Sequence, residues 1–151
     1  MNEVYDIHET ELGEDLCWRM LARAGFGRVG FVDGDDVVVL PVNVAVSDRR
    51  VIFRTRSGSS LAKQAGCSVG FEADHTDRVS ESGWSVVVRG RLVDATDTPE
   101  AERWSEFTVH PWAPPPRDRW MMIEPTTVTG RMVERHRRIQ PDGRLSYMPP
   151  E

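Results

Sequence analysis

The spacing of apolar residues predicts a helix near the start of the chain. Between residues 10 and 23, Leu12, Leu16 and Met20 recur at helical intervals, and acidic residues in the first turn suit the positive end of a helix dipole. Gly25 follows the last periodic residue, as is common where a helix ends. We therefore predict an amphipathic helix over residues 10–23 that packs against the rest of the protein.

Further along, the apolar period changes to two, which is typical of half-buried strands. Turn-forming residues separate the apolar runs, and Asp33-Gly34 is a step of the type that joins hairpin strands. Short helices are predicted over residues 61–65 and 98–107, the second with Pro99 at its first position. The apolar runs predict six strands, over residues 28–33, 37–46, 51–55, 67–74, 83–94 and 120–133. This pattern indicates a mainly β barrel, antiparallel for the most part, with helices at its ends.

Prolines and glycines interrupt three of these strands. Pro41 cannot donate to a strand ladder, so it marks an edge, a bulge or a place where a ligand replaces the partner strand. Gly90 is expected at a bend or bulge, and Pro125 is expected to break the last strand.

The composition limits what the chain can be. It has 151 residues, 39% of them hydrophobic, which is the length of one ordinary domain, and its formal net charge is −5. That charge gives no reason to expect a nucleic-acid partner. Lys63 is the only lysine, so nearly every positive charge is an arginine, the bidentate binder of carboxylates and phosphates.

The ends of the chain and its apolar runs indicate a soluble protein. The acidic N-terminal stretch lacks the apolar core of a signal peptide, and no apolar run approaches the ~20 residues that cross a bilayer. We expect a cytoplasmic protein with no membrane partner.

The domain is expected to span residues 1–133, with a partly mobile tail over residues 134–151.

Residue types that often carry catalysis are scattered. The four histidines lie far apart without metal-ligand spacing, and no serine, histidine and acid form a nucleophile elbow. Cys17 and Cys67 match no metal or disulfide pattern, so both are expected to be buried free thiols. Glu72 and Asp74 share one face of a strand, as many solvated carboxylates do. A hydrolase or metalloenzyme is therefore not supported.

The strongest candidate for ligand binding follows the strand that ends in Arg54 and Thr55. A small-residue loop containing Ser59 and Ser60 leads into a short helix, and backbone N–H groups at a helix start beside an arginine form a generic anion site. The alternative is an ordinary strand–turn–helix connection in which one of the serines only caps the helix.

Three other segments could line a ligand pocket. Pro41, Val42 and Asn43 are unusual in an apolar strand, and either a flat ligand or an edge position would explain them. Trp84 and Ser85 open a buried strand, where they either line a pocket or close the barrel end. The proline-rich segment that carries Trp112 and Trp120 is either an interface or pocket lid, or plain packing.

Taken in order, these segments resemble the pyridoxamine 5′-phosphate oxidase-like family of flavin-binding split barrels, in particular its small actinobacterial-type members. The resemblance extends over about residues 12–133. The segments that carry it are Gly27-Arg-Val-Gly30, Pro41-Val-Asn43, Phe53-Arg-Thr55 with Gly58-Ser59 and Leu61, Val69-Gly-Phe-Glu-Ala-Asp74, Gly83-Trp-Ser-Val-Val-Val-Arg-Gly90, and Trp120 with Ile123-Glu-Pro125 and Thr129-Gly-Arg131.

This resemblance implies a six-stranded antiparallel split β-barrel of the FMN-binding type. It also implies a homodimer with a flavin, usually FMN, in each of two sites across the interface. The implied cofactor-binding residues are Pro41, Val42 and Asn43 along the isoalloxazine ring, Arg54, Thr55, Ser59 and Ser60 at the phosphate, Trp84 and Ser85 completing the ring pocket, and Trp112 and Trp120 reaching toward the partner's site.

The chain departs from the family pattern at two positions. Ser60 stands where many relatives carry a lysine, and Lys63, three residues later, is the candidate to replace that charge. Met122 stands where relatives tend to have an arginine.

The resemblance implies an FMN-dependent oxidoreductase that acts on a small molecule. Two alternatives stay open: the same barrel using the deazaflavin F420, and a non-catalytic flavin- or haem-binding module.

Overall fold

A computed structural model describes residues 5–104, 112 and 114–137 of the chain. Most of these residues lie in antiparallel strands. The strands are β1 (Tyr5–Leu12), β2 (Phe26–Asp33), β3 (Asp36–Asn43), β4 (Ala45–Ser47), β5 (Arg50–Thr55), β6 (Ser68–Asp77), β7 (Ser82–Asp94) and β8 (Arg119–Arg137). The helices are α1 (Glu14–Ala24) and α2 (Pro99–Trp104), and a single 3₁₀ turn covers Ala62–Gln64.

The strands form one sheet that curls into a barrel without closing. Its order is β3-β2-β6-β7-β8-β5-β4, and β1 pairs with the C-terminal half of β8. β3 and β4 therefore stand at opposite ends of the sheet, although only Val44 separates them along the chain. No ladder joins β3 to β5 in the part of the chain described. The mainly β split barrel predicted from the sequence is confirmed.

Apolar side chains from the strands and α1 fill the barrel. Phe53 and Phe71 are almost fully buried at its centre, and α1 covers one end with Cys17, Trp18 and Leu21. Full burial of a side chain such as phenylalanine or leucine stabilises the folded state by roughly 1.5–3 kcal/mol. This shared core holds the strand ends that form the site.

A second, smaller apolar cluster lies under α2. Ile52 of β5 and Met122 of β8 pack there against Ala101 and Trp104 of the helix. Met122 is only 5% exposed, so the residue that departs from the expected family pattern is an apolar side chain suited to this cluster.

The prediction that the first helix begins at residue 10 is wrong. Residues 10–12 belong to β1, whose Leu12 lies opposite Gly130 of β8, and α1 begins only after Gly13. The outward residues of β1 are charged and exposed, so the segment lacks the apolar alternation that reveals a strand. β1 and the division of the strand 37–46 at Val44 raise the strand number from six to eight.

The last predicted strand is longer and more continuous than expected. Pro125 does not break β8, because the irregularity is a bulge: Arg89 lies opposite Thr127 and Gly90 opposite Pro125, which leaves Thr126 as the extra residue. The expected bulge at Gly90 is confirmed. β8 also continues through residue 137, into the segment expected to be a mobile tail.

Three further predictions are only partly covered by the structure. The helix expected over 98–107 is seen as Pro99–Trp104, and residues 105–107 lie outside the described part. Residues 138–151 of the expected tail also lie outside it. Cys17 is buried as expected, but Cys67 is exposed, because it precedes β6 at the barrel surface.

Candidate functional site

A groove of about 280 Å³ lies between the edge strand β3 and the end of β5. It marks the seam where the barrel does not close. The groove brings together six of the residues predicted from the sequence, and it adds four others. Its lining residues are Pro41, Val42, Asn43, Arg54, Thr55 and Trp112, together with Phe26, Leu40, Leu61 and Arg117.

Arg54 is the central charged residue of this groove. Its Nε atom is buried and has no hydrogen-bond partner in the described part of the chain, and its guanidinium carbon lies 5.1 Å from the centroid of the Trp120 ring. Trp120 therefore supports Arg54 by a cation–π contact and does not itself line the groove. Buried polar groups are almost always hydrogen-bonded, so the Nε of Arg54, which has no partner among the described residues, makes the groove a candidate ligand site. The Nε1 of Trp18 in the core also lacks a partner among these residues.

Arg117 is the second cation of the groove, and sequence reasoning missed it. Its Nε is likewise buried without a partner. The residue follows a run of prolines that has neither a helical nor a strand period, so nothing in the pattern joined it to Arg54, more than sixty residues earlier. The only signal was an arginine directly after a rigid proline run.

Ser59 caps the turn that follows β5. Its hydroxyl lies 3.0 Å from Thr55 Oγ1 and accepts a hydrogen bond of 3.0 Å from the Ala62 N–H. Ser60 and Lys63 are exposed and do not line the groove. A single 3₁₀ turn has no helix dipole of consequence, so the cationic character of the site comes from arginine side chains. For Ser59, the capping alternative describes the observed contacts.

Asn43 explains its own unusual position at the end of an apolar strand. Its Oδ1 accepts a hydrogen bond of 3.0 Å from the backbone N–H of Trp112, and the Trp112 ring stacks on Phe26 with centroids 5.2 Å apart. Trp112 is nevertheless 78% exposed. The tryptophan thus forms an apolar wall at the mouth of the groove, with one face still open to solvent.

Trp84 and Ser85 do not enter this groove. They line a separate hollow of about 510 Å³, whose walls include Asp77, Glu81 and Arg131. Trp84 also borders a third hollow, which it shares with Phe26 of the groove. Within one chain, the residues predicted for the phosphate and those predicted to complete the ring pocket are therefore neighbours on the surface but do not share one cavity.

A cluster of charges lies between these hollows. The guanidinium of Arg28 lies 3.2 Å from Glu72 and 3.6 Å from Asp74. Partial burial of Glu72 and the neighbouring Asp74 raise the pKa of the Glu72 carboxyl from 4.5 to about 7, although Arg28 acts in the opposite direction. Glu72 therefore titrates near neutral pH.

The described residues contain no group of three or more histidine, cysteine or acidic side chains that could hold a metal ion. Over the same residues, neither helix has the length and apolarity needed to cross a membrane.

The fold and the groove define a split barrel whose open seam carries two arginines, each with a buried Nε that has no hydrogen-bond partner among the described residues. The model of the pyridoxamine 5′-phosphate oxidase family matches residues 13–132 of the chain. The chain therefore belongs to this family, as the resemblance implied.

Individual relatives are similar over most of their length. The uncharacterized protein Rv0080 of Mycobacterium tuberculosis is 37% identical over 127 residues, which cover 80% of this chain and 83% of that protein. The FAD-binding protein of Mycobacterium smegmatis is 33% identical with a TM-score of 0.71, over 81% of this chain and 98% of that one. A conserved protein of unknown function from Corynebacterium diphtheriae is 30% identical with a TM-score of 0.67, over 82% and 96% of the two chains.

Proposed function

We propose that this protein binds a flavin, in the first place FMN, with the phosphate held at Arg54 in the seam groove. The observation that carries the proposal is the buried Nε of Arg54 in this groove, which lacks a partner among the residues that the structure describes. The similarity to the FAD-binding protein of M. smegmatis supports a flavin as the ligand class.

The walls of the groove fit a planar aromatic ring. Leu40, Val42 and Leu61 offer apolar surface, and Phe26 and Trp112 offer aromatic faces at the mouth. β3 stands at the edge of the sheet, so the outer side of its backbone has hydrogen-bonding groups without a ladder partner. A ring lying along β3 would satisfy them and would also explain why a proline is tolerated in that strand.

The proposed activity is oxidation or reduction of a small molecule. A bound flavin supplies the hydride or electron chemistry, so the chain needs no acid–base pair of its own in the groove. The residues of the groove would bind the phosphate, orient the ring and exclude water from one of its faces. A flavin that binds but is never reduced would instead indicate the non-catalytic binding module.

We further propose that the site is completed in a homodimer. The groove is open to solvent at its mouth, where Trp112 is 78% exposed, so a single chain leaves one side of a bound ring uncovered. Val32, Val37 and Val39 form an apolar strip on the β2–β3 hairpin, each at least 60% exposed. Val37, Val39 and Pro41 alternate along β3 and therefore lie on the same face of the strand, and Pro41 lines the groove. A second copy that covered the apolar strip would therefore lie against the site.

The direct test is spectroscopic. Purified protein should show flavin absorption bands, or protein freed of cofactor should quench FMN fluorescence on titration. A colourless protein that leaves the fluorescence of both FMN and FAD unchanged would exclude the flavin proposal, and titration with F420 would then test the deazaflavin alternative. Reduction of the bound flavin by NADH, NADPH or a panel of small molecules tests the oxidoreductase activity.

Arg54→Ala should weaken FMN binding at least tenfold. A hydrogen bond to a charged group contributes about 1.5–3 kcal/mol, and about 1.4 kcal/mol corresponds to a factor of ten in affinity. The dissociation constant is measured by fluorescence titration. Arg91→Ala is the matched control, because Arg91 is exposed on β7 and does not line the groove. Equal FMN affinity of the Arg54 variant and the wild type would contradict the phosphate assignment.

A further inference from the structure

We propose that Arg117 is the second arm of the anion site, so that the phosphate of the ligand lies between the guanidinium groups of Arg54 and Arg117. In this arrangement Asp118 is a positioning residue that holds Arg117 at the groove. The inference rests on the proposed flavin function and adds to it a residue from the segment before β8.

The first argument is the charge of the groove. Two arginines line it, each with a buried Nε, and among the described residues neither Nε has a hydrogen-bond partner and no carboxylate lines the groove. Two cations that share a small groove without an acid repel each other. A ligand with two negative charges removes this repulsion, and a phosphate monoester carries nearly that charge at pH 7.

The second argument is that the residues after Arg117 are fixed. The Asp118 carboxylate accepts a hydrogen bond of 2.9 Å from the Ser57 N–H and one of 2.6 Å from the Ser57 hydroxyl. Ser57 stands in the loop directly after Thr55, so this contact ties the segment of Arg117 to the end of β5. The same hydrogen bonds lower the pKa of Asp118, which keeps the carboxylate charged at neutral pH.

A second clamp fixes the next residue along the chain. Arg119 donates two hydrogen bonds, of 3.0 and 2.7 Å, to Oδ2 of Asp94. Residues 118 and 119 are thus both anchored to other parts of the barrel. The Arg117 side chain therefore extends from a backbone segment that is held in place by its neighbours. Such preorganisation lowers the entropy cost of binding and distinguishes Arg117 from an ordinary surface arginine.

The test compares FMN with riboflavin, which lacks the phosphate. We expect Arg117→Ala to weaken FMN binding at least tenfold and to change riboflavin binding less than twofold, measured by fluorescence titration. Arg117→Lys should recover part of the FMN affinity. Asp118→Ala should reduce FMN affinity severalfold with the same selectivity, because it releases Arg117 without removing its charge. Arg91→Ala is the control for a general loss of positive charge.

The possible outcomes separate this inference from the proposed function. Unchanged FMN affinity of Arg117→Ala, with normal binding by the wild type, would overturn the role of Arg117 and leave the flavin function intact. Equal losses for FMN and riboflavin in a variant with wild-type thermal stability would also overturn it, because the effect would not concern the phosphate. A wild-type protein that binds none of FMN, FAD and riboflavin would overturn both proposals.

Discussion

At the scale of single residues, polar groups in apolar surroundings are the most informative features of this protein. Asn43 ends a strand of valines because its side chain holds the backbone of Trp112, which is an interaction within the chain. Arg54 and Arg117 differ from it, because each keeps a buried Nε without a partner among the described residues. A buried polar group without a partner costs about 1–3 kcal/mol, and these two line one groove, which is the basis of the binding proposal; Asn43 is explained by the fold.

The two cysteines should differ sharply in reactivity. Cys67 is exposed, whereas Cys17 is buried in the core and its burial raises the pKa of its thiol. Because the thiolate is the reactive form, we expect one fast-reacting thiol per native chain with a chromogenic disulfide reagent, and two after denaturation. The Cys67→Ser variant should lose the fast phase, and a fast phase that persists in it would contradict the structure.

Glu72 should make the stability of the protein depend on pH. The pKa of its carboxyl is raised in the folded state from 4.5 to about 7, so the folded state favours the protonated carboxyl and ionisation opposes folding. The stability that the protonated form contributes is present below pH 4.5 and is lost as the pH rises through 7. Glu72→Gln should therefore raise the melting temperature relative to the wild type at pH 8 and change it little at pH 4. Since the carboxyl is partly solvated, we expect roughly 1 kcal/mol, or about 2–4 °C.

The control for this effect is Glu124→Gln, because Glu124 is an exposed carboxylate on β8. Thermal unfolding of both variants and the wild type at several pH values gives the comparison. A melting-temperature difference for Glu72→Gln that is the same at pH 4 and pH 8 would show that its ionisation is not coupled to folding.

At the scale of elements, the bulge between β7 and β8 brings the backbone of β8 so close to Gly90 that there is no room for a side chain there. A Cβ atom at Gly90 would overlap the backbone oxygen of Glu124, and backbone atoms cannot move aside without disturbing the ladder. We expect Gly90→Ala to destabilise the protein by about 2 kcal/mol or more, since forced overpacking typically costs about 1–3 kcal/mol. The measurement is chemical denaturation.

Gly70→Ala provides the matched control. Gly70 also lies within a strand, β6, but a Cβ atom there meets nothing within 4 Å. Its replacement should leave stability unchanged or slightly increased, because alanine loses less conformational entropy than glycine on folding. Equal destabilisation by both substitutions would mean that the close approach at the bulge is not the cause.

The elements also show which signals in a sequence are reliable. Apolar alternation predicted β2, β5 and β7 close to their observed limits, because one face of each strand is buried in the barrel. β1 was missed because it is mostly exposed and charged. Its position depends on pairing with β8, more than a hundred residues later, and a local pattern does not contain that information.

At the scale of the whole molecule, the exposed valines of the β2–β3 hairpin give a test of the proposed homodimer. Val39 is 62% exposed in the single chain, and a glutamate there would place a charge in the proposed interface. We expect the wild type to be dimeric by light scattering at micromolar concentration. Val39→Glu should weaken the association at least tenfold, or about 1.4 kcal/mol, and lower flavin affinity with it.

Val79→Glu is the control for this substitution. Val79 is 96% exposed but lies on the β6–β7 turn, away from the hairpin strip. It should leave both association and flavin binding unchanged. A wild-type protein that is monomeric at micromolar concentration would contradict a site completed by two chains.

The sequence alone predicted the β class, most strand positions and the family, and it singled out Arg54 and the segment from Pro41 to Asn43 as candidates for ligand binding. These features depend on local periodicity and on short motifs, which a single stretch of chain contains. Only the tertiary structure placed Arg117 in the same groove as Arg54, gave Ser59 its capping contacts and put Trp84 in a different hollow. Those relations depend on how distant strands pair around the open seam of the barrel, and pairing between distant segments is decided by packing of the whole core.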